Sequence, residues 1–144
     1  MTTAHRVFDL AMGLMDEVNE NSGATDTADT KGYKQRTLFI LNTLRGELYP
    51  LSDTYKNADK GKRPVCDAIT DFDTGIGLDD VICQSIMPYG LAAHLLLDEN
   101  PDAAAFFQQR YDELKQKIGA APAELESITD VYGVSNEYGE SSRW

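Results

Sequence analysis

The 144-residue sequence predicts an all-α fold, a small antiparallel bundle of four main helices followed by a long, partly extended C-terminal arm. Three segments carry apolar residues at steps of three and four, which places those residues on one face of a helix. A fourth segment is apolar on nearly all sides and belongs at the centre of the bundle. Short loops between segments favour antiparallel neighbours. We assign residues 1–119 to the bundle domain and residues 120–144 to a docking arm.

The first predicted helix covers residues 4–20, and its apolar residues form a single stripe. The stripe consists of Val7, Leu10, Ala11, Leu14 and Val18. The following stretch, residues 19–30, is dominated by Asn, Ser, Gly, Asp and Thr. This composition is typical of a loop.

The second predicted helix, residues 30–49, has the clearest stripe. Asp29 or Thr30 can cap its start. Pro50 ends it, because a proline disfavours helical geometry at the residue before it. The stripe consists of Tyr33, Thr37, Ile40, Leu41, Leu44 and Leu48.

The third predicted helix, residues 78–98, is the one that is apolar nearly all round. Pro88 lies inside it. A proline removes a backbone hydrogen bond and clashes with the carbonyl four residues earlier, here that of Gln84. We therefore expect a kink or a split at residues 88–90.

The fourth predicted helix, residues 101–118, begins with Pro101 at its first position and stops at Gly119. Together the stripes predict which side chains fill the centre of the bundle. These are Leu41, Leu44, Leu48, Ile82, Ile86, Leu95, Phe107, Tyr111 and Leu114.

Two segments outside the helices are candidate interaction sites. The irregular residues 51–75 contain a basic segment, and both a solvated loop and a contact with an acidic partner surface stay open for it. Its cations are Lys56, Lys60, Lys62 and Arg63. An alternating apolar stretch, residues 65–72, is either extended or pinned against the bundle. The arm keeps apolar side chains without helical period: Ile128, Val131, Tyr132, Val134, Tyr138 and Trp144.

The charge balance opposes two classes of partner. Lys and Arg total 13 against 24 Asp and Glu, which gives a net charge of −11. A protein that binds nucleic acid through its phosphates needs a basic footprint, and binding to an acidic membrane surface is equally disfavoured. We expect an intracellular chain with no membrane partner. Its two cysteines, Cys66 and Cys83, are expected to be free buried thiols.

No motif in the sequence predicts an enzyme, a cofactor or a metal. Counted from Asp71, the acidic stretch has Gly75, Ile76 and Ile82 at the positions where a calcium loop requires an oxygen ligand, Gly and Glu. We therefore interpret it as turn and cap residues. Glu17 and Glu20 form an E-x-x-E pair on the first helix, but no facing acidic pair completes a metal site. His94 is expected to be a packed core histidine.

Residues 87–100 (MPYGLAAHLLLDEN) and 107–114 (FQQRYDEL) resemble the head–tail connector (adaptor) proteins of tailed bacteriophages and prophages. In that family a proline-bearing helix is followed by a helix with an Arg-Tyr pair. Residues 41–50 and 78–80 are similar to the same group, and the resemblance covers roughly residues 33–115. Its motifs are packing motifs rather than catalytic signatures.

The resemblance implies a structural virion protein at the head–tail interface, assembled in the host cytoplasm. Such adaptors are small helical bundles in homo-oligomeric rings of about twelve copies, a dodecamer. The ring docks below the phage portal protein, extends the DNA channel and presents a surface to the next tail or nozzle protein. C-terminal arms reach onto the portal. Acidic subunits would repel the passing DNA, which is contacted without sequence-specific binding.

Two alternative functions stay open at the level of sequence. One is an all-α, metal-dependent enzyme of the nucleotide-pyrophosphohydrolase kind that uses helix-borne carboxylates. It requires a second acidic pair facing Glu17 and Glu20. The other is a small helical regulator that binds DNA, which the net charge of −11 opposes.

Overall fold

The computed structural model describes residues 1–17, 19–53 and 67–120, and it confirms the all-α class. Four helices pack together, and the described residues contain no strand beyond a single antiparallel bridge between Thr3 and Gly75. In chain order the elements are α1 (Ala4–Leu14), α2 (Lys31–Leu48), a 3₁₀ turn (Tyr49–Leu51), a π-helical segment (Ile82–Ile86), α3 (Met87–Leu95) and α4 (Pro101–Ala120).

Helix α1 ends six residues earlier than the sequence predicts, at Leu14. Asp16 adopts a left-handed φ of 60°, its N–H bonds Gly13 O, and the N–H of Glu17 bonds Met12 O at 2.9 Å. These are the two bonds of a Schellman cap, which satisfies the last carbonyls of a helix. The prediction was wrong because Asp, rather than the usual Gly, occupies the left-handed position.

The predicted bounds of α2 and α4 agree with the structure to within two residues at each end. Thr30 precedes α2, but its hydroxyl does not cap the helix. It is fully buried, accepts from the N–H of Thr27 at 2.9 Å and donates to the carbonyl of Thr25 at 2.6 Å. The residue therefore closes the preceding loop. At the other end, Pro50 lies within the 3₁₀ turn that follows α2.

The predicted break in the third helix is present as the π-helical segment, one turn earlier than residues 88–90. The N–H of Met87 bonds the carbonyl of Ile82, five residues back, and Pro88 follows at the start of α3. A wider turn accommodates a proline, which cannot donate to the helix and would crowd the carbonyl four residues earlier.

Gly90 allows α3 to approach both of its neighbours closely. A Cβ at this position would lie 2.9 Å from Cε1 of Tyr111 on α4 and 3.1 Å from Cδ2 of Leu44 on α2. Such distances are shorter than van der Waals contact. The absence of a side chain at Gly90 therefore sets how tightly the three helices pack.

Eight of the nine predicted central residues are buried, and Leu114 alone is half-buried. A smaller apolar cluster joins α3 to α4 through Ala92, Leu96, Ala104 and Phe107. The stripe of α1 differs from the prediction, because Phe8 and Met12 are fully buried whereas Leu14 is exposed. The helix is therefore rotated so that Leu10 and Leu14 lie at the edge of the core.

Side chains of α2 hold residues 67–76 against the helix. Of the two interpretations of the alternating stretch, the one in which it is pinned against the bundle agrees with this arrangement. Asn42 exchanges two hydrogen bonds with the backbone of Ile69, accepting at 2.6 Å and donating at 3.0 Å. Arg45 donates to the carbonyl of Asp67 at 2.8 Å. Asp71 accepts from the N–H of Asp73 at 2.9 Å. The acidic stretch thus forms turns, as predicted.

Two tyrosine–carboxylate bonds tie α2 to the chain at and before α4. Tyr111 donates to Oε1 of Glu47 at 2.7 Å, and Lys115 donates to Oε2 of the same carboxylate at 2.9 Å. Tyr33, near the start of α2, donates to Glu99, just before α4. One bond joins the N-terminal ends of α2 and α4, and the other joins residues farther along both helices, so α2 and α4 run parallel to each other.

Alanine at Leu44 should lower the free energy of unfolding by about 3 kcal/mol, because Leu44 is fully buried between α2 and α3. Phe107→Ala should behave similarly. Urea unfolding followed by circular dichroism measures both. Leu97→Ala is the control, since Leu97 is 62% exposed and its truncation should change stability by less than about 0.5 kcal/mol. Equal losses for Leu44→Ala and Leu97→Ala would contradict the packing.

The bond network at Glu47 should make stability depend on acid pH. Burial works to raise the pKa of Glu47, but the hydrogen bonds from Lys115 and Tyr111 outweigh it and hold the pKa below its ordinary value of 4.5. A lowered folded-state pKa stabilises the fold above the unfolded-state pKa, and the contribution is lost as pH falls through the folded-state value. Glu47 is 46% exposed, so the gain is below about 1 kcal/mol.

Urea midpoints of the wild type and Glu47→Gln, measured between pH 7 and pH 3, test this dependence. The difference between the two proteins should shrink as the pH falls. Glu113→Gln is a matched control, because Glu113 is an exposed carboxylate on α4 that pairs only at 3.6 Å with Arg110. A constant difference for Glu47→Gln across the range would show that ionisation of Glu47 is not what stabilises the pair of helices.

Candidate docking groove

Both candidate interaction sites from the sequence lie outside the described residues. The arm side chains Ile128, Val131, Tyr132, Val134, Tyr138 and Trp144 follow the last described residue. The cations Lys56, Lys60, Lys62 and Arg63 fall between residues 53 and 67. Their roles stay predictions.

The carboxylate pair Glu17 and Glu20 does not lie on a helix, contrary to the sequence interpretation. Helix α1 ends at Leu14, so Glu17 belongs to the Schellman cap and Glu20 to the following turn. Among residues 1–17, 19–53 and 67–120, no group of three or more His, Cys, Asp or Glu side chains is placed to hold a metal ion.

A groove lies between α1, α3 and α4 and is open to solvent. It encloses about 310 Å³. Its walls come from the apolar edge of α1, from the π-helical segment with the first turn of α3, and from the middle of α4. The lining residues are Leu10, Leu14, Gln84, Ser85, Pro88, Tyr89, Arg110 and Leu114.

The groove lies on the side of α3 that faces away from α2. Pro88 and Tyr89 line the groove, whereas Gly90 faces Leu44 of α2. Two residues along an α-helix correspond to a rotation of roughly 200°. Pro88 and Gly90 therefore point in nearly opposite directions, and the central helix separates the groove from α2.

Aromatic rings and one guanidinium pack together where α3 meets α4, beside the groove. The ring of Tyr89 lies 6.1 Å from that of Phe107, and Phe107 lies 5.5 Å from Phe106. Arg110 is positioned over Tyr89 at 5.9 Å from the ring centre. Phe106 is 61% exposed. Large exposed apolar surface next to a stacked arginine is typical of protein contacts.

The rim of the groove carries positive charge although the chain as a whole is acidic. Arg110, Glu113 and Lys117 line a shallow depression on α4 that continues the groove past Leu114, so two cations flank one carboxylate. Arg110 faces Glu113 at 3.6 Å, a long and solvent-exposed ion pair. Such a pair contributes little, so Arg110 stays able to engage an incoming carboxylate.

A separate depression of about 240 Å³ lies between the end of α3 and the start of α4. Its walls include Ala93, His94, Leu97 and Ala104. His94 is exposed there, which corrects the expectation of a packed core histidine. Six apolar residues, three on each side, flank His94 in the sequence, but its own position on α3 faces outward.

Cys83 is a free, buried thiol in the π-helical segment, as predicted. Burial raises the pKa of this thiol to about 11. Because the thiolate is the reactive form, the shift makes Cys83 chemically quiet at neutral pH. Cys66 lies outside the described residues.

The groove was not predicted from the sequence. Leu10, Leu14 and Leu114 were assigned to the apolar stripes of α1 and α4, where they stand at the edges. Beside the groove, Phe107 is buried and the adjacent Phe106 is exposed, because neighbouring residues on a helix point in different directions.

Comparison of the chain with protein-family models, curated proteins and solved structures finds no match. Of the helices in the described ranges, none combines the length and the apolar character that crossing a bilayer requires.

Proposed function

We propose that this protein is a head–tail connector (adaptor) subunit of a tailed bacteriophage or prophage. In this proposal about twelve copies form a ring below the portal, extend the DNA channel and present a surface to the next tail or nozzle protein. The protein acts at the head–tail interface of the virion, after assembly in the host cytoplasm. It is a structural protein rather than an enzyme.

The observation that carries the proposal is the family-like sequence of residues 87–100 and 107–114. These residues form α3, the turn after it and the middle of α4. Their characteristic members pack on one another: Gly90 meets Tyr111, Tyr89 meets Phe107, and Arg110 lies over Tyr89. The residues that resemble the family thus form one connected packing unit, which is what a shared fold requires.

Exposed apolar side chains on separate faces support assembly into a ring. Phe39 on α2 is 79% exposed, and Phe106 on α4 is 61% exposed. A ring contact joins two different surfaces of the same subunit, so a subunit must carry two separate patches. Phe39 and Phe106 lie on different helices and supply two such patches.

The acidic character of the chain supports a role around passing DNA. Residues 95–109, which include Asp98, Glu99 and Asp102, contain no Lys or Arg. The exposed Asp16, Glu20, Asp112 and Glu113 add further negative charge and are candidates to line the channel. Like charge keeps phosphates from adhering to a wall, so DNA can move past without sequence-specific binding.

Electron microscopy of the full chain mixed with the portal of the same phage tests the ring. We expect annular particles on the portal with one adaptor subunit per portal subunit. A portal from an unrelated phage is the control and should stay bare. If the chain stays monomeric and the cognate portal stays unoccupied at micromolar concentrations, the connector proposal fails.

Removal of residues 120–144 tests the docking arm. The truncated bundle should keep its helical circular dichroism and its cooperative thermal transition, because the described core lies within residues 1–119. Its binding to the portal should fall below detection. A matched substitution series, Tyr138→Ser and Trp144→Ser in the full chain, should weaken binding stepwise. Unchanged portal affinity after truncation would show that docking uses another surface.

A further inference from the structure

We propose that the groove between α1, α3 and α4 holds the chain's own C-terminal segment, centred on residues 125–138, whenever no partner engages that segment. The sequence alone predicted no place on the bundle for the arm. The groove supplies one. The inference concerns the isolated chain and holds independently of the connector proposal.

The point where α4 ends places the segment beside the groove. The described chain stops at Ala120, the last residue of α4, and Leu114 of the same helix lines the groove. Six residues of helix correspond to about 9 Å. A chain reversing after Ala120 spans this distance within a few extended residues, at about 3.3 Å per residue. Closing so short a loop costs little entropy.

The apolar residues of the segment match the surface that the groove leaves open. Of its lining residues, Leu14 is exposed, and Leu10 and Leu114 are half-buried. The segment offers side chains that favour extended backbone and pack well on a shallow apolar surface. They are Leu125, Ile128, Val131, Tyr132, Val134 and Tyr138.

Charge selects this segment over the rest of the acidic chain. Residues 121–144 contain five acids and a single base, Arg143. The acids are Glu124, Glu126, Asp130, Glu137 and Glu140. The depression that continues the groove carries Arg110 and Lys117 beside one carboxylate, Glu113, so its net charge is positive. An acidic, apolar segment is therefore complementary to a basic, apolar groove, and the ion pairs fix its register.

The alternative occupant from within the chain, the outer face of α2 from a second copy, is less suitable. Phe39 is its apolar centre, and Arg36, three residues earlier on the same face, is its cation, while residues 31–46 contain no acid. Docking that face on Arg110 and Lys117 would bring like charges together, which destabilises an interface.

Hydrogen exchange of the full chain, read by mass spectrometry without any portal present, tests the proposal. Peptides from residues 125–138 should exchange roughly 10-fold more slowly than the same residues in a synthetic peptide of residues 121–144. Two groove variants, Leu14→Glu and Arg110→Glu, should return the exchange to the peptide's rate. Arg110→Glu removes the charge complementarity without touching the core, so it keeps the test valid if Leu14→Glu loosens α1.

Each groove variant has a matched control. Leu97→Glu places a carboxylate at an exposed leucine of the other depression, and Lys31→Glu reverses an exposed cation at the start of α2. Both should keep the slow exchange. Equal protection in wild type and groove variants, or peptide-like exchange in the wild type, would overturn the proposal. Protection lost on dilution would assign the segment to a second copy and overturn the same-chain contact.

Discussion

The close approach of α3 to α2 and α4 at Gly90 is the constraint on which the rest of the bundle depends. With Leu44 and Tyr111 both in contact at this point, α3 occupies the centre and its neighbours cannot move apart without opening the core. Pro88, two residues earlier, lines the groove on the opposite side of α3 and follows the π-helical segment in the chain. The same short stretch thus sets the packing on one side of α3 and the floor of the groove on the other.

The acidic residues of the loops serve the fold as hydrogen-bond acceptors. Asp80 accepts from the N–H and the hydroxyl of Thr2 at 3.0 and 2.7 Å, and Asp79 accepts from Ser52 at 3.1 Å. The hydrogen bonds from Thr2 lower the pKa of Asp80. These bonds join chain segments that are far apart in sequence. An acidic composition is therefore compatible with a closed, well-connected bundle.

Apolar periodicity predicted α2 and α4 well, because their stripes face the core along the whole helix. The end of α1 was predicted wrongly, because the left-handed capping position is occupied by Asp16 rather than by the glycine that usually marks a helix end. Pro88 revealed an interruption, although the π-helical segment precedes it by a turn. The groove could not be predicted, because it is the space that three helices leave between them, and that space depends on the rotation of α1 about its axis.

Side-chain hydrogen bonds join the parallel helices α2 and α4 near both of their ends. Tyr33 bonds Glu99 at one end, and Tyr111 bonds Glu47 at the other. Directional bonds tolerate little displacement. Sliding one helix along the other by a single residue, about 1.5 Å, would distort both hydrogen bonds at once. The two pairs of hydrogen-bonded residues therefore oppose sliding of α2 and α4 along each other.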